Sequence, residues 1–257
     1  MLAHELFELL SATTWKTIDR ASGRRILFGE DAITSINLLT LNNARSTIFA
    51  IEDTRISEST KGCDFELWIG SDSTAWRRYA AQAKKIQPST NTYAQLKHMV
   101  GGTLQIDILE TYSKANNAVP IYCLYSHSVQ TGDWSCCLPN DQEQLGCSVT
   151  PASVIRKAIE TRGGRSFIEI QSNSQTLPWR CLVRCASAGS HSCSRTDLWP
   201  EAQTVSDYKA LPPPLARVLE TRTSQSLGDS EGAFSAESQL RPQWIVVINV
   251  DRQRGGA

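Results

Sequence analysis

Apolar positions recur along the chain first at helical and then at strand spacing. Over residues 2–20, Leu2, Leu6, Leu9, Leu10 and Trp15 fall on one side of a helix, and Gly23 marks its end. Residues 30–40 (EDAITSINLLT) repeat the pattern, with Glu30 and Asp31 in the first turn, where the positive end of the helix dipole favours acids. The spacing then shortens. Residues 46–51 (STIFAI), 64–69 (DFELWI) and the stretch 76–86 read as three strands. The GSDST turn at 70–74 is short enough to make the last two a hairpin, and a loop runs on to about Gly102. Leu104, Ile108, Leu109 and Tyr112 return to helical spacing over 104–115, stopped by Asn116 and Asn117, and PIYCLY at 120–125 is a short apolar strand. From residue 30 the order is helix, three strands, helix, strand. A close hairpin plus a helical crossover predicts an α/β fold with a central mixed sheet flanked by helices.

Beyond Ser126 the periodicity weakens. Residues 149–161 read as a helix, 179–185 as a strand, and 212–220 as a helix opened by prolines, which the first turn tolerates. Residues 222–241, rich in Ser, Gly and Glu, read as a loop, and the apolar run 244–250 as a strand returning to the body. No internal repeat is visible. The expected organisation is an N-terminal helix (1–27) packing on a core (28–130), with a C-terminal α/β extension (131–257) completing or covering the same domain.

Composition narrows this picture little. The 257 residues carry 26 basic and 26 acidic side chains, so net charge gives no support to nucleic-acid binding and any such surface must be local. No apolar run is long enough to span a bilayer, and the N-terminus has acids where a signal peptide needs a basic start. A cytoplasmic protein with no membrane partner is expected. The eight cysteines, without a secretory signal, are expected as reduced thiols. Cys181, Cys185, His191 and Cys193 have zinc-ligand chemistry, but the first spacing is looser than the usual structural pair, so packing is the expected role.

The chemistry lies in the predicted hairpin. Side chains alternate faces along a strand, so Asp64 and Glu66 share one face, as do Gln82 and Lys84 on the next strand. Pairing brings two carboxylates, a carboxamide and an ammonium toward one another. Oxygen donors of this kind hold Mg²⁺ or Mn²⁺, and such an ion with a nearby lysine is what phosphodiester hydrolysis needs. Glu30, at the start of the second helix, is placed in sequence to reach the same ion. No acid occurs between residues 73 and 106, whereas Arg77, Arg78, Lys84, Lys85, Lys97 and His98 do, a local stretch suited to a phosphate backbone. Tyr93 and Trp68 are candidates for base stacking or for packing.

These residues resemble the PD-(D/E)XK nuclease superfamily, and the form with glutamine at the second acidic position resembles Mrr-like restriction endonucleases. The segments GEDAIT (29–34), GCDFELW (62–68), QAK (82–84), QID (105–107) and PIYCLY (120–125) are similar to an uncharacterised bacterial family of predicted nucleases. The likeness covers about residues 28–130, with echoes at Gly146-Cys147 and Pro178-Trp179. It implies a restriction-endonuclease-like core. It also implies Asp64, Gln82, Glu66 and Glu30 as metal ligands, Lys84 as the catalytic lysine, and Gln105 near the site. Lys85, Arg78, Lys97 and Tyr93 join Gln105 as candidate substrate contacts. The implied activity is a Mg²⁺- or Mn²⁺-dependent DNA endonuclease, in restriction or anti-phage defence. Cutting both strands calls for two sites, which suits a homodimer. The sequence departs from the family pattern in having Cys63 rather than proline before Asp64. Glutamine at 82 is a weaker ligand than glutamate and keeps open a binding protein of the same fold that does not cut. An RNA-cleaving, toxin-like enzyme is a third reading.

Overall fold

A computed structural model describes residues 2–43, 48–52, 62–131, 141–183, 199–224 and 244–250. Helices α1 (Ala3–Gly23) and α2 (Glu30–Asn43) come first, followed by strands β1 (Ile48–Glu52), β2 (Phe65–Ser71) and β3 (Ala75–Lys85). A 3₁₀ turn at Ala94–Lys97 leads into a small hairpin, β4 (Met99–Val100) and β5 (Thr103–Leu104), and then directly into α3 (Gln105–Ala115). Strand β6 (Val119–Tyr125) follows, then β7 (Cys147–Pro151), α4 (Ala152–Glu160) and α5 (Phe167–Gln171). The chain ends in β8 (Leu177–Pro178), α6 (Pro200–Gln203), α7 (Pro213–Ser224) and β9 (Trp244–Asn249).

Seven strands form one mixed sheet in the order β1-β9-β2-β3-β6-β7-β8. The β2–β3 hairpin is antiparallel with Glu66 opposite Ala80, and β3 runs parallel to β6 with Gln82 opposite Tyr122. A helical crossover, α3, joins that parallel pair, as parallel strands require. Every residue of β2, β6 and β7 is buried, because helices cover both faces. On one face, α2 reaches Tyr125 through Thr34 (3.1 Å), and α1 reaches the Cys147 carbonyl through Ser11 (3.1 Å). On the other face Tyr112 of α3 donates to Glu66, and Arg156 of α4 ties back to Asp107 and Glu110 of α3. Among the described residues no helix is long and apolar enough to cross a membrane.

Several sequence expectations need refinement or correction. The strand expected over 244–250 does return to the sheet, at 244–249. It inserts between β1 and β2, antiparallel to the first and parallel to the second, so β1 and β2 are not neighbours. Its Val246–Ile248 core is fully buried, and an apolar run without alternation suits that central place. Residues 149–151 belong to β7, and the helix expected from 149 begins only at Ala152. Pro151 has extended backbone at the N-cap. The strand expected over 179–185 is instead a helical turn at 181–183, with residues 184–185 outside the described residues. Helix α7 extends to Ser224, into the predicted loop, the rest of which is not described. Leu215, Val218 and Leu219 of α7 pack in one cluster with Trp68, Trp76 and Val247. The C-terminal portion thus supplies three strands of the same sheet.

Candidate active site

Strand β3 has eleven residues and β2 seven, and their register ends with Phe65 opposite Ala81. Residues 82–85 therefore run past the start of β2, while on the other side β6 pairs with all of them. Buried backbone N–H groups left without a strand need other acceptors. Two carboxylates take those places. Asp64 Oδ2 accepts from the Ala83 N–H (2.6 Å), and Glu30 Oε2, from the first residue of α2, accepts from the Lys85 N–H (2.9 Å).

The side chains between these two anchors complete the cluster. Gln82 Nε2 donates to the same Asp64 oxygen at 2.6 Å, and Lys84 Nζ lies 3.3 Å from Glu30 Oε1. Gln82 is fully buried and Lys84 6% exposed, while Asp64 and Glu30 are partly buried. Gln82 Oε1 is buried with no hydrogen-bond partner, a state that ordinarily costs about 1–3 kcal/mol. The Gln105 carboxamide oxygen is buried in the same condition. Gly62 brings the start of β2 against the N-terminal turns of α3. Its φ is +63°, and a Cβ there would lie 2.6 Å from the Leu109 nitrogen and 2.9 Å from the Gln105 carbonyl oxygen.

Burial raises the Glu30 carboxyl above its usual range, against the opposing charge of Lys84 and the Lys85 N–H bond. Burial likewise lowers the Lys85 ammonium, with Glu30 partly restoring it. The donor set is hard oxygen: Asp64, Glu30 and the unsatisfied Gln82 Oε1. That set suits Mg²⁺ or Mn²⁺. No cluster of three or more His, Cys, Asp or Glu side chains poised for a metal occurs among the described residues. A cation here would thus depend on the carboxamide.

Asp64, Gln82, Lys84 and Glu30 come together, and Lys85 borders them. Glu66 does not join them as a ligand. It shares the face expected from alternation but sits further along the strand, 1% exposed, where its oxygens accept from Arg78 (2.5 Å), Tyr112 (2.6 Å) and Trp68 (3.2 Å). Arg78 is accordingly tied to Glu66, to the Asn116 carbonyl (3.0 Å) and over the Trp68 ring, rather than offered to a phosphate. Tyr93 is wholly buried, its hydroxyl accepting from Gln171 at 2.7 Å, and burial pushes its phenol up to about 12. It is a core residue, not a stacking platform. Trp68 is buried against Tyr208. Lys97 and His98 are exposed beside the β4–β5 hairpin, whose base bonds to α3 through Gln105 N–H to the His98 carbonyl (3.0 Å). Of the zinc-type run, Cys181 is buried on its helical turn, and Cys185, His191 and Cys193 lie outside the described residues. The parts missed from sequence are Tyr112 and the backbone N–H groups of Ala83 and Lys85. Only the unequal strand lengths hint at the latter.

A sequence model of a family of unknown function, DUF6615, matches residues 3–253. No curated protein matches the chain.

Proposed function

The chain belongs to the DUF6615 family of unknown function, and we propose that it is a metal-dependent nuclease built on a restriction-endonuclease-like core. One observation carries the reading: Asp64, Gln82, Lys84 and Glu30 gather on the part of β3 that overhangs β2. The order of helix, hairpin, crossover helix and parallel strand around that point supports the same reading.

Asp64, Glu30 and Gln82 Oε1 would hold Mg²⁺ or Mn²⁺. Bound there, the ion would supply charge stabilisation on the phosphate and a lowered pKa for the attacking water. The protein's own residues do the rest. Asp64 is fixed by the Ala83 N–H and Glu30 by the Lys85 N–H, so both carboxylates are pre-aimed by backbone. The Lys84 ammonium, buried beside Glu30, adds a fixed positive charge for the non-bridging oxygens as the water oxygen bonds to phosphorus and the ester P–O bond breaks. Duplex DNA is the favoured substrate. The acid-free stretch 74–105 presents exposed Lys97 and His98 next to the hairpin that feeds α3.

A second reading, a binding protein of this fold that does not cut, is favoured by the neutral Gln82 and by Lys84 being engaged with Glu30. One assay separates them. Purified protein is incubated with plasmid, linear duplex, single strands and RNA in Mg²⁺ or Mn²⁺, beside Asp64→Ala and Lys84→Ala. Cleavage of DNA that falls by about 10²–10³ in each variant is expected. Cleavage surviving both substitutions removes this site assignment, binding without cleavage supports the second reading, and cleavage confined to RNA makes the enzyme a ribonuclease.

A further inference from the structure

We infer that Gln82 is a rotating amide: its nitrogen donates to Asp64 while no cation is bound, and the amide turns over to present Oε1 when a divalent cation arrives. The inference rests on the metal-site reading above. Both Nε2 protons are in use, one on Asp64 Oδ2 at 2.6 Å and one on the Ala83 carbonyl at 3.2 Å, while Oε1 has no partner in a fully buried position. A carboxamide is nearly symmetric in shape, so a half-turn about its last torsion exchanges nitrogen and oxygen within the same volume. In the turned state Oε1 would face the Asp64 carboxylate, which is repulsive unless a cation lies with them.

The residue type then has a reason. Glutamate at this position would set a second carboxylate against Asp64, whose Oδ2 lies 2.6 Å from the Gln82 side chain. Like charges so close cannot both ionise comfortably without a cation. Glutamine removes that strain from the metal-free protein, and binding must first break the two amide hydrogen bonds. The site is thereby stable when empty and weak when loaded, so occupancy would follow the free concentration of Mg²⁺ rather than being permanent.

The test observes the amide directly. Side-chain ¹⁵N resonances of glutamine are followed in the full chain during titration with diamagnetic Mg²⁺, with Mg²⁺ binding measured in parallel by calorimetry on the wild type, Asp64→Asn and Gln82→Glu. The Gln82 NH₂ signals should be protected from exchange in the metal-free protein, then shift and lose protection as Mg²⁺ saturates. The Gln171 signals, held by Tyr93 and Ser148, should stay in place. Gln82→Glu should melt at a lower temperature without metal and bind Mg²⁺ on the order of tenfold more tightly, since affinity follows ligand charge. If Mg²⁺ binds in an Asp64-dependent way and the Gln82 amide stays protected and unmoved, the switch is wrong although the metal site stands. If neither the wild type nor Gln82→Glu binds Mg²⁺, both fall. Should Gln82→Glu fail to fold, the wild-type resonances decide alone.

Discussion

The reassignment of Glu66 from ligand to structural ion pair makes a quantitative prediction about Arg78. Glu66 is 1% and Arg78 14% exposed at the side chain, so their contact is effectively desolvated. Burial alone would lower the guanidinium pKa. The charge and hydrogen bond of Glu66 outweigh it and raise the group further above its usual range. Arg78→Met keeps most of the apolar stem over Trp68 and removes the cation. The Glu66 carboxylate then keeps only two neutral donors, Tyr112 and Trp68. Breaking a buried pair from one side costs about 3–5 kcal/mol. For a chain of this size each kcal/mol is worth roughly 2–4 °C, so melting should fall by about 6–20 °C. Replacing both partners with apolar groups is often close to neutral. Glu66→Met/Arg78→Met should therefore recover most of that loss, with a coupling of at least about 2 kcal/mol in the double-mutant cycle. Urea denaturation of the four proteins measures it. A single Arg78→Met within about 0.5 kcal/mol of the wild type, or a double variant equal to the sum of the singles, refutes the buried-pair account.

Two further outcomes follow from the site itself. Because burial raises the Glu30 carboxyl, its contribution to stability is present below the unfolded pKa and is lost as pH rises through the folded value. Glu30→Gln should thus gain on the wild type in urea denaturation as pH rises from the unfolded carboxyl value through the raised folded one, and then level off; a wild type that gains on the variant over that rise contradicts the electrostatics. Gly62→Ala adds a Cβ 2.6 Å from the Leu109 nitrogen on a left-handed backbone. It should cost about 1–3 kcal/mol from overpacking and a further 1–2 from the dihedral. It should also weaken Mg²⁺ binding in calorimetry by displacing Asp64, and an unchanged melting temperature would show that α3 gives way freely.

What could be read from the sequence was local. Alternation in DFELWI and AAQAKK put Gln82 and Lys84 on one face and Glu66 with them, and the short turn made the hairpin, all as the register has it. Alternation fixes a face, however, and not a distance along the strand. It could not separate Asp64, at the strand's end beside Gln82, from Glu66, two residues inward beneath Tyr112. That separation is set by α3, whose docking depends on Gly62 and on contacts remote in sequence. The same limit hid β9. An apolar run announces a buried strand, but its neighbours are chosen by long-range pairing, so nothing local says that residues 244–249 divide β1 from β2. Tyr93 and Arg78, offered as substrate contacts, are instead held by Gln171, far away in the chain, and by Glu66, across the hairpin.

The overhang of β3 explains why the cluster sits where it does. A sheet in which every strand had the same length would satisfy the Ala83 and Lys85 N–H groups with a neighbouring backbone and would leave no place for side-chain acceptors. By stopping β2 early, the fold leaves two donors at fixed positions, and each draws in one carboxylate, Asp64 from the approach to β2 and Glu30 from the head of α2. Backbone donors do not swing as side chains do, so each acid is held in place by the main chain of β3. The alternating positions of the same strand, 82 and 84, then add a neutral donor to one acid and a cation to the other. Four charged or polar groups are thus stabilised by a single irregularity in strand length. The one atom of the four groups left without a hydrogen-bond partner is Gln82 Oε1.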